Sequence, residues 1–168
     1  ALALLASCLV TRSSQAFERQ WHLGLDTGAA ALSYHGTVYG GLGGGAHLTY
    51  GLSDSFNALV ELDASSHSVY ADRSSLKLLS GGVGLAYTLD VIRWVPYFGV
   101  LVGTYRFSGA DLQNADHKLG AQLALGLDYH INRSWSVGAQ LRYHTFADDP
   151  FSTVYATSFL RASYVWGW

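Results

Sequence analysis

The residues of this sequence with chemistry to offer are seven histidines, a set of mid-segment charges, one glycine-rich run and one cysteine. A metal centre needs converging ligands, such as histidines at i and i+2 on one strand face. His22, His47, His130 and His144 show no such spacing, so no metal and no cofactor are expected. Gly41-Leu42-Gly43-Gly44-Gly45-Ala46 matches a dinucleotide fingerprint by letters. It lies within a strand-like run and opens no helix, so no helix N-terminus is available to hold a phosphate. Its glycines read instead as space for neighbouring side chains, or as freedom for strong strand coiling. The single cysteine, Cys8, excludes a disulfide framework and a cysteine-based zinc site. What remains is a charge set: Asp26, Glu61, Asp63 and Asp128 against Lys118, Arg142 and Arg161.

The elements that must position these residues have a period of two from Trp21 onward. In 120–131, Ala121, Leu123, Leu125, Leu127, Tyr129 and Ile131 alternate with Gly120, Gln122, Ala124, Gly126, Asp128 and His130. In 135–145, Trp135, Val137, Ala139, Leu141 and Tyr143 alternate with Ser136, Gly138, Gln140, Arg142 and His144. The segment 159–168 repeats the pattern, with Leu160, Ala162, Tyr164, Trp166 and Trp168 on the bulky side. A helix would mix these sets on one face, whereas a strand separates them. Segments 20–29, 39–52, 56–64 and 78–89 read the same way. Segment 94–107 is ambiguous, and placing Phe98, Val100 and Val102 outward leaves Gly99 and Gly103 inward. That makes eight strands. Tight Asp/Asn/Ser turns at 53–55, 90–93 and 132–134 alternate with longer polar connectors at 30–38, 65–76, 108–117 and 147–152. The reading is all-β: an eight-stranded antiparallel up-and-down barrel.

Composition decides which face is wet. Charged residues are 13% of the chain and hydrophobic residues 49%, against roughly 25% charged in an ordinary soluble domain. A formal charge of −2 excludes the clustered basic excess that nucleic acid requires. The small face carries Gly, Ser, Gln and nearly every mid-strand charge, and an eight-stranded barrel has little room inside. Putting the bulky face inside would overfill it. Lipid is the solvent that tolerates that face, and closure satisfies every backbone hydrogen bond. Trp21, Tyr50, Phe56, Tyr87, Trp94, Tyr129, Trp135 and Trp168 cluster at the tight-turn and chain ends, where an interfacial aromatic girdle belongs. Charges in a narrow lumen should be paired. Arg142 and Arg161 fall on neighbouring strands, with Glu61 expected between them and Asp26 second.

The closing segment, Phe159-Leu160-Arg161-Ala162-Ser163-Tyr164-Val165-Trp166-Gly167-Trp168, has aromatics at its last, third-last and fifth-last places. It resembles the C-terminal signal of the small eight-stranded outer-membrane barrels of the OmpA/OmpX type. So do Val95-Pro96-Tyr97-Phe98-Gly99-Val100 and Leu127-Asp128-Tyr129-His130. The resemblance covers residues 20–168 and is specific to a fold, not to an activity. It implies a transmembrane barrel in the outer membrane of a Gram-negative bacterium. Tyr164, Trp166 and Trp168 would be read by the outer-membrane assembly machinery. Outer-membrane lipid and lipopolysaccharide would surround the barrel, and an envelope protein complex is a further partner class. Its lumen reads as a structural polar plug, the alternative being a narrow gated pore. The other alternative is a lipid A-modifying enzyme. The lipid A deacylases that such barrels resemble carry a His-x-Ser and a later Glu. Here His144-Thr145-Phe146 is followed only by Asp148 and Asp149, so no catalytic residue is expected and the protein reads as a non-enzyme.

Residues 1–16 read as the remains of a secretory signal, and residues 17–168 as the barrel. The apolar run 1–10 is too short to span a bilayer as a helix, and Ser14-Gln15-Ala16 offers a cleavage site before Phe17. Leu5-Ala6-Ser7-Cys8 also resembles a lipobox, in which Cys8 would be lipidated.

Overall fold

The computed structural model describes residues 19–34, 37–68, 75–89, 93–109, 116–148 and 153–167. The signal-like segment, Cys8 and Trp168 lie outside them. The strands in chain order are β1 (Trp21–Tyr34), β2 (Thr37–Gly51), β3 (Phe56–Ser68), β4 (Ser75–Thr88), β5 (Trp94–Gly109), β6 (Asp116–His130), β7 (Trp135–Phe146) and β8 (Val154–Trp166). Each pairs antiparallel with the next, and β8 pairs with β1 to close the barrel.

The register fixes the shape. Starting at Trp21, cross-strand partners run through Tyr50, Ala58, Leu85, Val100, Leu123, Tyr143 and Ala156. The path returns to β1 at Ala31, ten residues from its start. With strands about 4.8 Å apart and a rise of about 3.3 Å per residue, that stagger tilts the strands by about 40°. It sets a radius of roughly 8 Å, so side chains from opposite walls meet in the middle.

Alternation holds around the barrel. On β3, Phe56, Val60 and Leu62 are exposed while Asn57, Leu59, Glu61 and Asp63 are buried. On β5, Phe98, Val100 and Val102 face out and Tyr97, Leu101 and Tyr105 face in, as the glycine argument expects. Two tight turns are held by side chains. Ser53 Oγ accepts from the Phe56 amide at 3.1 Å, and Asn132 Oδ1 accepts from the Ser134 and Trp135 amides at 2.8 and 2.9 Å. Residues 90–92 of the third turn lie outside the described set.

Two expectations change. Of the segments read as long connectors, 30–38 is largely strand, and the described ends of 65–76 and 108–117 are strand as well, because β1 to β6 run on toward their loop-end tips. A 14-residue strand at this tilt spans roughly 35 Å, whereas the apolar band of an outer-membrane barrel is about 25 Å tall. Past that band the hydropathy alternation fades, but the closed backbone ladder continues. The inward face is also bulkier than a small polar face. Ala30, Leu32, Leu78, Tyr105, Phe107, Phe146 and Tyr155 form an apolar, largely aromatic layer at the loop end. Glycines on nearby strands make the room. A methyl at Gly126 would come within 2.3 Å of the Tyr97 ring, one at Gly120 within 2.8 Å of Tyr105, and one at Gly43 within 3.1 Å of Phe159.

Candidate functional site in the lumen

Below the aromatic layer lies the charge network. Arg142, from β7, reaches three buried carboxylates: Asp63 at 2.6 Å, and Asp26 and Glu61 at 3.1 Å each. It also donates to Gln140 Oε1 at 2.8 Å. Glu61 accepts further bonds from Gln122 Nε2 at 2.5 Å and Gln140 Nε2 at 3.2 Å. Arg161, from β8, donates to the Tyr97 hydroxyl and lies over that ring, 5.2 Å from its centre. Its Nε is 3.7 Å from Asp26 and 3.8 Å from Asp128. Arg142 lies 5.3 Å over the Phe159 ring. A guanidinium held by three acids and an aromatic face is charge-paired and packed, which a low-dielectric interior requires.

The carboxylate joining the two arginines is Asp26, not Glu61. The closure register explains this, because Asp26 and Arg161 are direct partners across the β1–β8 seam. Glu61 is committed to Arg142 and two glutamines. Lys118 stays outside the network. It sits near the loop end of β6, half-buried, and pairs with Asp116 at 3.8 Å. Asp128 is on the tight-turn side and against Gly138, where an added methyl would meet its carboxylate at 2.0 Å.

A relay not anticipated from sequence runs through the same aspartate. His47 Nδ1 is 2.9 Å from Asp26 Oδ2, and His47 Nε2 is 2.9 Å from Ser163 Oγ. These are serine–histidine–aspartate distances, and the first question is whether they catalyse. Ser163 is buried and borders a cavity of about 40 Å³, lined also by Thr49, Thr88, Tyr97, Asp128 and Arg161. That is room for two or three waters and none for an acyl chain. Asp26 is also engaged by both arginines, so the chain orients the network. The signal was the register: His47 and Ser163 both oppose Gly24, on its two sides. A methyl at Gly24 would lie 2.3 Å from the His47 ring.

The other histidines are placed separately. His22 and His130 meet edge-on at the tight-turn end, ring centres 6.3 Å apart. His144 shares a 2.9 Å hydrogen bond with the Tyr105 hydroxyl and packs 4.6 Å from the Tyr155 ring centre. Asp148 is exposed and Asp149 lies outside the described residues. Among the described residues, no three His, Cys, Asp or Glu are arranged to hold a metal. The glycine run 41–45 lies within β2, where a methyl at Gly45 would meet Asp63 at 2.1 Å.

Outside, the tight-turn aromatics pair across strands. Trp21 stacks with Trp166 and meets Tyr50 at a tilt, Trp94 meets Tyr129 at a tilt, and Phe56 with Tyr87 and Trp135 with Tyr164 pack edge to face, at ring separations of 4.5–6.4 Å. Tyr164 and Trp166 are 5.9 Å apart.

No curated protein matches the sequence. Solved structures share the fold at low identity. Neisserial surface protein A (NspA) aligns with a TM-score of 0.68 and 18% identity over 88% of this chain and 97% of that one. Ail, the attachment invasion locus protein of Yersinia pestis, gives 0.62 and 13% over 89% and 99%. OprG from Pseudomonas aeruginosa gives 0.60 and 12% over 90% and 98%. The family model for the outer membrane protein beta-barrel domain matches residues 1–165. With its closed eight-stranded sheet and apolar outer wall, the chain belongs to this outer-membrane β-barrel family.

Proposed function

We propose that the protein is a sealed, non-enzymatic barrel that acts through its outer wall and rim as a structural, binding or envelope-complex component. The observation that carries this is the filled lumen. Leu32, Leu78, Tyr105, Phe107, Phe146 and Tyr155 pack the loop end, and Arg142 below them is tied to three acids. A conducting path needs continuous water, and the cavity at the tight-turn end holds about 40 Å³. The same packing argues against catalysis, since the acid–base–hydroxyl chain of Asp26, His47 and Ser163 has no space for a substrate. Two proteins of similar fold are a surface protein and an attachment invasion locus protein, and the second was also solved in complex with the heparin analogue sucrose octasulfate. Those names favour action at the envelope surface. Outer-membrane lipid and lipopolysaccharide are the surrounding partners in this reading. Tyr164, Trp166 and Trp168 form the segment handed to the assembly machinery.

Conductance tests the reading. Refolded protein in planar bilayers should give no unitary steps, and Phe146→Ala with Tyr155→Ala, which opens only the loop-end layer, should give none either while the Arg142 network remains below it. Steady conductance from the unmodified protein would overturn the sealed-barrel reading. Lipid A from cells overexpressing the protein should have an unchanged mass spectrum, and a lost acyl chain would restore the enzyme alternative.

A further inference from the structure

Of the charged residues on the described strands, only Lys77 and Arg106 point outward. They sit on adjacent strands β4 and β5 near the loop end. Arg106 is directly opposite Leu79 on one side and His117 on the other, and Lys77 is the diagonal neighbour opposite Ser108. Diagonal cross-strand side chains are about 7–8 Å apart, so both cations can reach one phosphate. All three side chains are exposed. Among the described residues, no carboxylate shares that outer wall.

Their height has a physical meaning. Lys77 is ten residues along β4 from the girdle residue Tyr87, and Arg106 twelve along β5 from Trp94. At about 3.3 Å per residue and a tilt of about 40°, they lie roughly 25–30 Å above the tight-turn girdle. That is the thickness of the apolar band, so the cations stand at the opposite membrane interface. Beside them the wall is furrowed. One depression of about 410 Å³ is walled by Leu42, Ala64, Ser66, Leu79 and Ser108, with Lys77 at its edge. A second, of about 530 Å³, is walled by Val102, Thr104, Leu119, Ala121, Thr145 and Ala147. Small outward residues make these troughs, and Arg106 lies on β5 between them.

We propose that Lys77, Arg106 and His117 bind the phosphate headgroup of a phosphorylated outer-leaflet lipid, with its acyl chains lying in the two flanking furrows. Paired cations at the membrane interface favour an anionic headgroup, and apolar troughs below them favour chains. This rests on the outer-wall reading above, with the loop end facing outward. The full-length barrel in detergent is mixed with purified diphosphoryl lipid A, or with the same lipid stripped of its phosphates, and lipid retention is read by native mass spectrometry. The phosphorylated form should be retained about tenfold better. Lys77→Ser with Arg106→Ser should abolish that preference with heat-modifiable gel mobility intact. Ala121→Trp, filling one furrow, should weaken retention of both lipids, and inorganic phosphate at equal concentration should displace neither.

Equal retention of the two lipids, or a preference that survives the double substitution, would overturn the proposal. So would a heparin fragment that depends on these residues while the lipid does not. Conductance is independent of this site: an open lumen would sink the sealed-barrel reading and leave the lipid result standing.

Discussion

Replacing Arg142 with Met should be the most damaging single change in the lumen, and the charge count says why. The network holds four carboxylates, on Asp26, Glu61, Asp63 and Asp128, against two guanidinium groups, on Arg142 and Arg161. Removing Arg142 strands Glu61 and Asp63 and leaves Asp26 only Arg161 and His47, in a site where all three acids are buried. Breaking a buried ion pair from one side costs about 3–5 kcal/mol, and Arg142→Met should fall at the top of that range. Glu61→Gln removes one of three acids around Arg142, which keeps Asp26 and Asp63. A hydrogen bond to a charged group contributes about 1.5–3 kcal/mol, and relief of repulsion among the remaining acids offsets part of it. Glu61→Gln should therefore cost about 1–2 kcal/mol. The double variant should cost less than the sum, with a coupling of about 1–3 kcal/mol. Urea unfolding in lipid vesicles, followed by tryptophan fluorescence and extrapolated linearly, measures all three. A loss from Glu61→Gln equal to that from Arg142→Met, or strict additivity, would refute this account of the network.

Three further outcomes follow from named contacts. Gly126→Val should cost about 1–3 kcal/mol by overpacking the Tyr97 ring, and should broaden the NMR signals of Arg161, which Tyr97 holds; an unchanged unfolding midpoint would contradict it. Deleting Trp168, or changing Trp166 to Ala, should lower folded yield in cells more than refolding yield in detergent, measured by gel mobility. With Cys8 changed to Ser, a cysteine at Asp111 should label on intact cells and one at Ser134 should not; the reverse pattern would invert the orientation.

Strand number, parity and closure were legible because the outward face alternates Leu, Val, Tyr and Trp against small residues over whole strands, as in β6 and β7. The β5 ambiguity was resolved by its inward glycines: at Gly103 a methyl would lie 2.3 Å from the Gly81 carbonyl oxygen, although at Gly99 it would make only ordinary contact with Ala124 and Ala86. Strand ends were not legible, because Ala29-Ala30-Ala31 and Ser65-Ser66 alternate little once the wall rises above the apolar band. The members of the charge network were visible as inward polar residues. Their pairing was not, because pairing depends on the stagger of the closed sheet. Asp26 outranks Glu61 between the arginines only because β1 meets β8 with Asp26 opposite Arg161. The His47–Ser163 contact over Gly24 was hidden for the same reason. The loop-end aromatic layer escaped because Leu32, Leu78, Phe107, Phe146 and Tyr155 come from five different strands, so no one segment shows it.

The central claim is a barrel turned outward to lipid and sealed within, and one measurement on the unmodified sequence addresses both halves. Methyl-labelled protein in lipid nanodiscs yields nuclear Overhauser contacts from each leucine and valine methyl to lipid chains, to water, or to protein alone. Leu25, Leu62, Val102, Leu125 and Leu160, all exposed on the outer wall, should contact lipid acyl chains. Leu32, Leu78 and Leu101, each no more than 2% exposed, should contact only protein. Lipid contacts from the second set would show the parity to be inverted, and water contacts from Leu32 and Leu78 would show an open lumen.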